Sequence, residues 1–484
     1  MNQAYALSQT YPSVLVVPRA LDDGFVEAAS QQRSRSRLPV LSWLHPRNGM
    51  PMCRSAQPLM GLSSSTSLRE DETLIHSILR SSVAKNPSAV LHLIDARPRM
   101  SALANAATGK GFESIEKLND AKWAQGAGKV QLHFLDIENI HTVRSSYQNM
   151  MSACLSCNTS SHSFDLLGKV GAAGWLQHTA GVMRGALFSA REINNGNALL
   201  VHCSDGWDRT AQISCLVQLM LDPFARTIPG FAALVEREWC SFGYQFDLRM
   251  GFGEPLSETS PVFVQFLETV WQISMQFPSA FEFSEAYLLH IADAMHSSCF
   301  ANFCDDCERH RSSKQDSVDA WQYLNRAAFS DATRYLNPRY RETEVYCSNP
   351  LWPDTEISAL RLWEAWFLRH TTAGWYWRRH QSNQEVSDLL HLLRLRTTGT
   401  LSAPEPLDAT DRQRLAATKI KRWWFRRCHG TPACGVFVSM DFHIIILATQ
   451  VTARPAAPSP QAARPERHAL ISSMKFWNLS WLLY

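Results

Sequence analysis

Residues 198–221 constrain this chain more tightly than any other stretch. Ala198, Leu199, Leu200 and Val201 form a short apolar run up to His202, the pattern of a central strand buried on both faces. Residues 210–221 then read as a helix, closed by Asp222-Pro223. A tight polar loop lies between them, and residues 201–210 spell Val-His-Cys-Ser-Asp-Gly-Trp-Asp-Arg-Thr. Strand, polar loop and helix in this order is the setting that a phosphate-binding loop requires.

Within the loop, Cys203 is followed by five residues and then Arg209. Residues wrapped between a strand end and a helix start can turn successive backbone N–H groups inward, making a nest for a phosphate dianion. The same positive field favours the nucleophilic thiolate of Cys203. Arg209 can grip two phosphate oxygens at once, which a lysine cannot. In-line attack by Cys203 then gives a phosphocysteine. The leaving oxygen needs a proton and water must later be activated, so an acid is expected in or above the loop. Asp208 and Asp205 are the local candidates. Thr210 is placed to hydrogen-bond the sulfur, and His202 to order the loop backbone. A bare Cys-x5-Arg is common by chance; the preceding strand, Gly206 and the following helix favour the catalytic reading.

The rest of the chain fits an enzyme of globular composition. It has 484 residues, 45% hydrophobic and 19% charged, with a net charge of +3, which excludes nucleic-acid binding by bulk charge. Twelve scattered cysteines and a mixed, polar opening at residues 1–13 point to a reducing, cytosolic setting. The longest apolar run, 435–449, is interrupted by Asp441 and His443, so membrane contact is expected to be peripheral. The pattern predicts strands at 14–17, 89–94 and 130–137 and helices at 70–79, 175–192, 262–275 and 285–296. Beyond about residue 369 the character changes: Trp375, Trp377, Trp423 and Trp424 sit among arginines, and 453–465 is rich in Pro, Ala and Arg.

At residues 202–212, His-Cys-Ser-Asp-Gly-Trp-Asp-Arg-Thr-Ala-Gln, the chain resembles the myotubularin family. Further segments similar to that family include Arg37-Leu-Pro-Val-Leu-Ser-Trp-Leu-His45, Gln57-Pro58, Ile94-Asp-Ala-Arg-Pro98, Ser260-Pro-Val-Phe263 and Leu351-Trp-Pro353, from about residue 10 to 369. The resemblance implies an enlarged Cys-based, tyrosine-phosphatase-like α/β fold with a central mixed sheet flanked by helices. It implies removal of the 3-phosphate from phosphatidylinositol 3-phosphate and phosphatidylinositol 3,5-bisphosphate, without metal or cofactor. Cys203 would be the nucleophile, Arg209 the phosphate clamp and Asp208 the general acid. Substrate contacts would fall on Asn105, Asn139, Ile140, Ser204, Asp205, Gly206, Trp207 and Arg249. The implied partners are a phosphoinositide lipid in a membrane surface and further copies of this chain or other family members, at endosomal membranes in the cytoplasm, with no nucleic acid.

The chain departs from the family in two places. The PH-like GRAM domain that usually precedes the phosphatase is expected to be missing or truncated. That leaves 1–30 as a lead-in, 31–370 as the phosphatase, 371–450 as a Trp/Arg-rich helical extension and 451–484 as a disordered tail. Gln245 stands where the family commonly carries Arg or Lys, which predicts a preference for the monophosphate.

Other signals are weaker. Trp352-Pro353-Asp354 spells the acid loop of tyrosine phosphatases but follows Cys203 instead of preceding it, and reads as a surface turn. Asp95 is a secondary candidate for a direct role, its alternative being to hold Arg97 or a loop N–H. Cys304-Asp-Asp-Cys307 with Cys299 and His310, and Cys154 with Cys157, lack a spaced second pair for zinc. Cys428, His429 and Cys434 are too few for a FYVE finger. Residues 412–427 are basic and aromatic, suited to a solvated helix or an anionic membrane surface. Residues 385–395 are too short for a heptad assignment. Arg33, Arg35 and Arg37 read as surface charges, the alternative being that they line the substrate approach. Two other functions remain: a protein-tyrosine phosphatase, disfavoured by two acids inside the loop and by Trp207, and a non-catalytic binding partner, disfavoured by intact Cys203 and Arg209.

Overall fold

The computed structural model describes residues 2–60, 68–120, 128–156, 164–312, 318–330, 332–341 and 349–369. Every described residue lies within the first of the chain's two units, Met1–Ala403. The features read at 371–484, and Cys157, lie outside the described residues.

The apolar run ahead of Cys203 is the middle strand of a five-stranded sheet. In chain order the strands are β1 (Val40–Leu44), β2 (Pro51–Ser55), β3 (Val90–Asp95), β4 (Lys129–Phe134) and β5 (Ala198–His202), arranged β1-β2-β5-β3-β4. β5 runs parallel to β2 and β3, β4 runs parallel to β3, and β1 is antiparallel to β2. All five residues of β5 are buried, because strands pair with both its edges and helices cover both its faces. The fold is the mixed α/β sheet that the sequence predicts.

Register decides where chemistry can occur. His202 pairs with Ser55 of β2 and with Asp95 of β3. Three parallel strands therefore end together, and the loops after them meet at one edge of the sheet, the usual place for a ligand in such folds.

On one face, Ile75, Ile78 and Leu79 of the helix Arg69–Val83 pack against Leu91, Leu93 and Leu200. On the other, the helix Trp175–Asn194 lies beside Arg209–Leu221, in which every residue from Thr210 onward is buried. The expected helices at 262–275 and 285–296 are Val262–Gln276 and Glu285–Ser297. Trp239, Phe263 and Phe266 meet with ring centroids 4.9 to 5.8 Å apart, tying the first of these helices to a π-helical turn, Glu236–Ser241. Tyr11, Leu15, Val26 and Ala29 share a core cluster with Leu38, Val40, Leu74 and Phe242, so the N-terminal residues pack on the core beside the sheet.

One expected strand is absent. Residues 14–17 are irregular, joined to the sheet by a single bond from Leu41 N to Val16 O at 2.9 Å. Pro12 and Pro18 bracket this stretch and carry no backbone donor. β2 was not readable as a strand, because its buried half carries Arg54 and Ser55.

Candidate active site

The loop after β5 is shaped by contacts to its carbonyls. His202 O accepts from Ala96 N at 2.9 Å and Ser204 O from Gln57 N at 3.0 Å. Gly206 O accepts from Arg37 Nη2 at 3.0 Å and Arg54 Nη2 at 2.7 Å. In a trans peptide the C=O and the following N–H point in opposite directions. Pinning alternate carbonyls outward thus turns the N–H groups of Cys203, Asp205 and Trp207 to the other side. Among the described residues, no backbone N–H from Ser204 to Asp208 donates to a protein acceptor. Gly206 has φ +78°, and a Cβ there would lie 2.3 Å from Ser55 O, so only glycine fits.

Cys203 lies at the base of this cup, almost fully buried, and accepts a hydrogen bond from Thr210 Oγ1 at 3.3 Å. Arg209 opens the following helix. Its Nη1 donates to Ile137 O at 3.1 Å and its Nη2 to Ser204 Oγ at 3.4 Å. Its Nε is buried without an acceptor among the described residues, a costly state for a cation unless an anion completes it.

Behind the cup lies a set of buried arginines, which corrects the reading of Arg33 and Arg37 as surface charges. Arg33 grips both oxygens of Asp71 at 2.7 Å and reaches Glu113 at 2.7 Å. Arg54 pairs with Glu238 at 2.8 Å. Arg37 is equally buried. Only Arg35 is open to solvent, its side chain 65% exposed and 3.9 Å from Asp205. An alternation of Arg and Ser resembles a solvated strip, yet here a left-handed turn at Arg35 and Ser36 sends its neighbours inward. Ser34 Oγ also donates to Asp205 Oδ1 at 2.9 Å.

His202 meets a partner with no local sequence signal. Its Nε2 lies 3.1 Å from Glu113 Oε2. Burial opposes charge on Glu113, but His202 and Arg33 outweigh it and hold the carboxyl well below its usual range. Removing one member of such a buried ion cluster typically costs ~3–5 kcal/mol.

The remaining candidates divide by what they touch. Asp208 accepts from Arg249 through both oxygens, at 2.9 and 3.0 Å, and Arg249 also reaches Glu258. Burial opposes the Arg249 charge, but Asp208 more than restores it. Asp95 is taken up entirely by Arg97, which closes on both carboxylate oxygens and donates its backbone N–H at 3.0 Å. Asp95 thus matches its alternative reading and orients Arg97. Asn105 donates to Gln57 Oε1 at 3.2 Å, a group that also accepts from Arg97. Asn139 Oδ1 caps the helix Ile140–Ser156 by accepting from His141 N and Thr142 N, and Ile140 O accepts from Ser260. Trp207 is buried with Arg37 and Arg35 over its ring at 5.5 and 5.8 Å. Asp354 sits in an exposed turn, its Oδ1 accepting from Glu356 N. The thiols of Cys299 and Cys304 donate to Ser297 O and Ser298 O, and no group of described side chains is placed to hold a metal ion.

Comparison with known proteins agrees with this geometry. The profile of the myotubularin-like phosphatase domain matches residues 1–312. The human phosphatidylinositol-3,5-bisphosphate 3-phosphatase MTMR6 is 39% identical over 368 residues, covering 75% of this chain and 56% of the relative. The mouse phosphatidylinositol-3,5-bisphosphate 3-phosphatase MTMR2 is 38% identical over 376 residues, covering 76% and 55%. Myotubularin of Xenopus tropicalis is 37% identical over 400 residues, covering 82% and 63%. The chain thus spans less than two thirds of the length of these relatives. With the loop, its flanking strand and helix, and most of its length all matched, the chain belongs to the myotubularin-like phosphatase family.

Proposed function

We propose that this chain is a phosphoinositide 3-phosphatase, acting on phosphatidylinositol 3-phosphate and less well on phosphatidylinositol 3,5-bisphosphate. One observation carries the reading: a buried thiol at the base of a cup of unengaged backbone N–H groups, beside a guanidinium whose Nε lacks an acceptor. Such a cup complements a phosphate dianion and, better still, the charge that spreads over the equatorial oxygens as phosphorus is transferred.

In the first step the Cys203 sulfur bonds to phosphorus while the bond from phosphorus to the inositol oxygen breaks. Arg209 and the loop N–H groups hold the transferring oxygens, and Asp208 gives the departing oxygen its proton. Arg249 occupies both Asp208 oxygens in the resting site. To carry that proton, Asp208 must free one of them, which substrate phosphate accomplishes by accepting from Arg249 in its place; the freed oxygen then takes up a proton from solvent, and in later turnovers keeps the one it takes from the attacking water. In the second step water attacks phosphorus, Asp208 takes its proton, and sulfur leaves with Thr210 donating to it. Asn105 and Asn139 lie on the segments that border the cup, where they meet the inositol ring.

The two acids within the loop favour this reading over a phosphotyrosine phosphatase, which relies on a distant acid. The family relationship favours it over any unrelated phosphatase. The reaction takes place on endosomal membranes, and the chain associates with itself or with other family members; co-localisation with a 3-phosphoinositide probe and sedimentation of the full chain test these two points. Phosphate release from short-chain phosphatidylinositol 3-phosphate, beside a phosphotyrosine peptide and with Cys203→Ser as control, tests the activity. Release from the lipid alone is expected. Release from the peptide alone overturns the substrate class, and silence on both leaves a binding partner. Asp208→Ala should slow turnover by on the order of 10²; unchanged turnover moves the acid role to Asp205, whose side chain is 25% exposed.

A further inference from the structure

Three buried guanidiniums lie behind the cup, and they differ in what neutralises them. Arg33 is closed by Asp71 and Glu113, and Arg54 by Glu238. Arg37 bonds only to neutral oxygens: Thr10 O at 3.1 Å, Thr10 Oγ1 at 2.9 Å, Gly206 O at 3.0 Å and Phe242 O at 2.8 Å. Its Nε has no acceptor among the described residues. Its plane lies over Tyr11 at 4.2 Å and over Trp207 at 5.5 Å. Burial lowers it only to about 10, so the side chain is a cation at neutral pH. A charge held among dipoles and rings, with no carboxylate hydrogen-bonded to it, projects its field onto its surroundings, and its bond to Gly206 O sets it against the loop that carries Cys203.

The charges around Cys203 sharpen the point. On neighbouring segments Asp95 is closed by Arg97, Asp208 by Arg249, and Glu113 by Arg33 and His202. Asp205 faces the exposed Arg35 at 3.9 Å and accepts from Ser34. Of the guanidiniums bonded to residues of the loop, Arg54 and Arg249 are closed by carboxylates, whereas Arg209 in the cup and Arg37 behind it hydrogen-bond only to neutral oxygens.

We propose that Arg37 is a positioning residue of the phosphatase: its guanidinium fixes the Gly206 peptide and supplies an uncompensated positive charge that favours the Cys203 thiolate and the bound phosphate dianion. This rests on the phosphatase reading of the loop. Arg54 also holds Gly206 O, so loss of Arg37 removes the charge while leaving one anchor on the carbonyl.

The test uses the full chain with Arg37→Met, Arg37→Gln and Arg37→Lys. Two readouts need no lipid substrate: the pH dependence of Cys203 alkylation by iodoacetamide, with Cys203→Ser as blank, and protection of Cys203 from alkylation by orthovanadate. The third is kcat/KM on short-chain phosphatidylinositol 3-phosphate. In the Met and Gln variants the alkylation midpoint should move to higher pH and the vanadate concentration needed for protection should rise about tenfold. Lys should restore the midpoint, because it keeps the charge, but not kcat, because it cannot make the four bonds. An unmoved midpoint and unchanged vanadate protection in both neutral variants overturn the proposal, as does an equal loss in Lys and Met, which marks a purely structural role. Thermal melts identify a neutral variant that does not fold, in which case the Lys variant decides: its midpoint must match the parent. If the parent releases no phosphate from lipid, the substrate assignment fails while the alkylation and vanadate results still judge Arg37.

Discussion

Replacing Gly206 with alanine should disable the site while the rest of the fold survives. Gly206 has φ +78°, where a side chain costs roughly 1–2 kcal/mol. The added Cβ would also stand 2.3 Å from Ser55 O and 2.9 Å from Ser55 C. Those are backbone atoms of β2, which is paired on both edges and cannot retreat, so the loop must yield by roughly 1 Å, adding about 1–3 kcal/mol of overpacking. Together these place the loss of stability at about 2–5 kcal/mol. A shift of that size also carries Gly206 O away from Arg37 and Arg54 and turns the Trp207 N–H, and a misplacement of ~1 Å costs on the order of 10² in rate. Denaturant unfolding and short-chain lipid turnover measure the two losses separately. Gly181→Ala is the control, because a Cβ there meets nothing within 4 Å in the helix Trp175–Asn194; it should be neutral or stabilising by up to about 1 kcal/mol. If Gly206→Ala keeps parental turnover and stability, the carbonyls do not set the cup, and the account of the site built on them is wrong.

Thr210→Val keeps shape but removes the donor 3.3 Å from the sulfur; turnover should fall about tenfold, and rapid quenching should reveal an accumulated phosphocysteine. Gln245 donates to Gly243 O and Asp306 O and brings no charge to the site, so the parent should prefer the monophosphate; Gln245→Arg should raise bisphosphate turnover about tenfold relative to monophosphate, and equal turnover of both lipids by the parent refutes this. Burial pushes the Glu268 carboxyl, bonded to Trp175, up from 4.5 to about 8. The folded state therefore keeps a proton that the unfolded state releases, and stability present below pH ~4.5 is lost as pH rises toward 8, by on the order of 5 kcal/mol. Glu268→Gln should flatten that loss in denaturant titrations at pH 5.5 and 8.

The sequence made contiguous features legible and left distant ones hidden. Strand, loop and helix at 198–221 could be read because each element announces itself over adjacent residues, and the structure holds them at Ala198–His202 and Arg209–Leu221. Arg33 and Arg37 were misread because their partners are far along the chain: Glu113, Gly206 and Phe242 stand 80, 169 and 205 residues away. No local pattern distinguishes a buried arginine from a solvated one until its acceptors are known. Glu113 and Glu238 were not singled out as individual residues for the same reason. Asn105, Asn139 and Arg249 entered only through the family resemblance. The structure gives each a definite partner, and the pairing of Arg249 with Asp208 could not have been anticipated from two residues 41 apart.

The site's binding power is thus a property of the sheet edge more than of the loop itself. The signature residues supply the thiol, the guanidinium, the N–H groups and the glycine that allows the turn, but the contacts that hold those N–H groups inward come from outside the loop. They are made by Ala96 after β3, by Gln57 after β2, and by Arg37 and Arg54 on and before the antiparallel pair. Each holds a carbonyl that would otherwise compete for the same space, so the donors are already aimed before a phosphate arrives and little reorganisation remains for the reacting complex. The buried charges follow the same logic. Where a guanidinium serves only to brace the surroundings of the loop it is closed by a carboxylate, as in Arg33 and Arg54. Where it lacks one, as in Arg209 and Arg37, the proposed thiolate and substrate phosphate would bring the missing negative charge. An isolated peptide of the signature would keep the thiol and the guanidinium but lose the cup, because the contacts that pin its carbonyls come from other segments of the sheet edge.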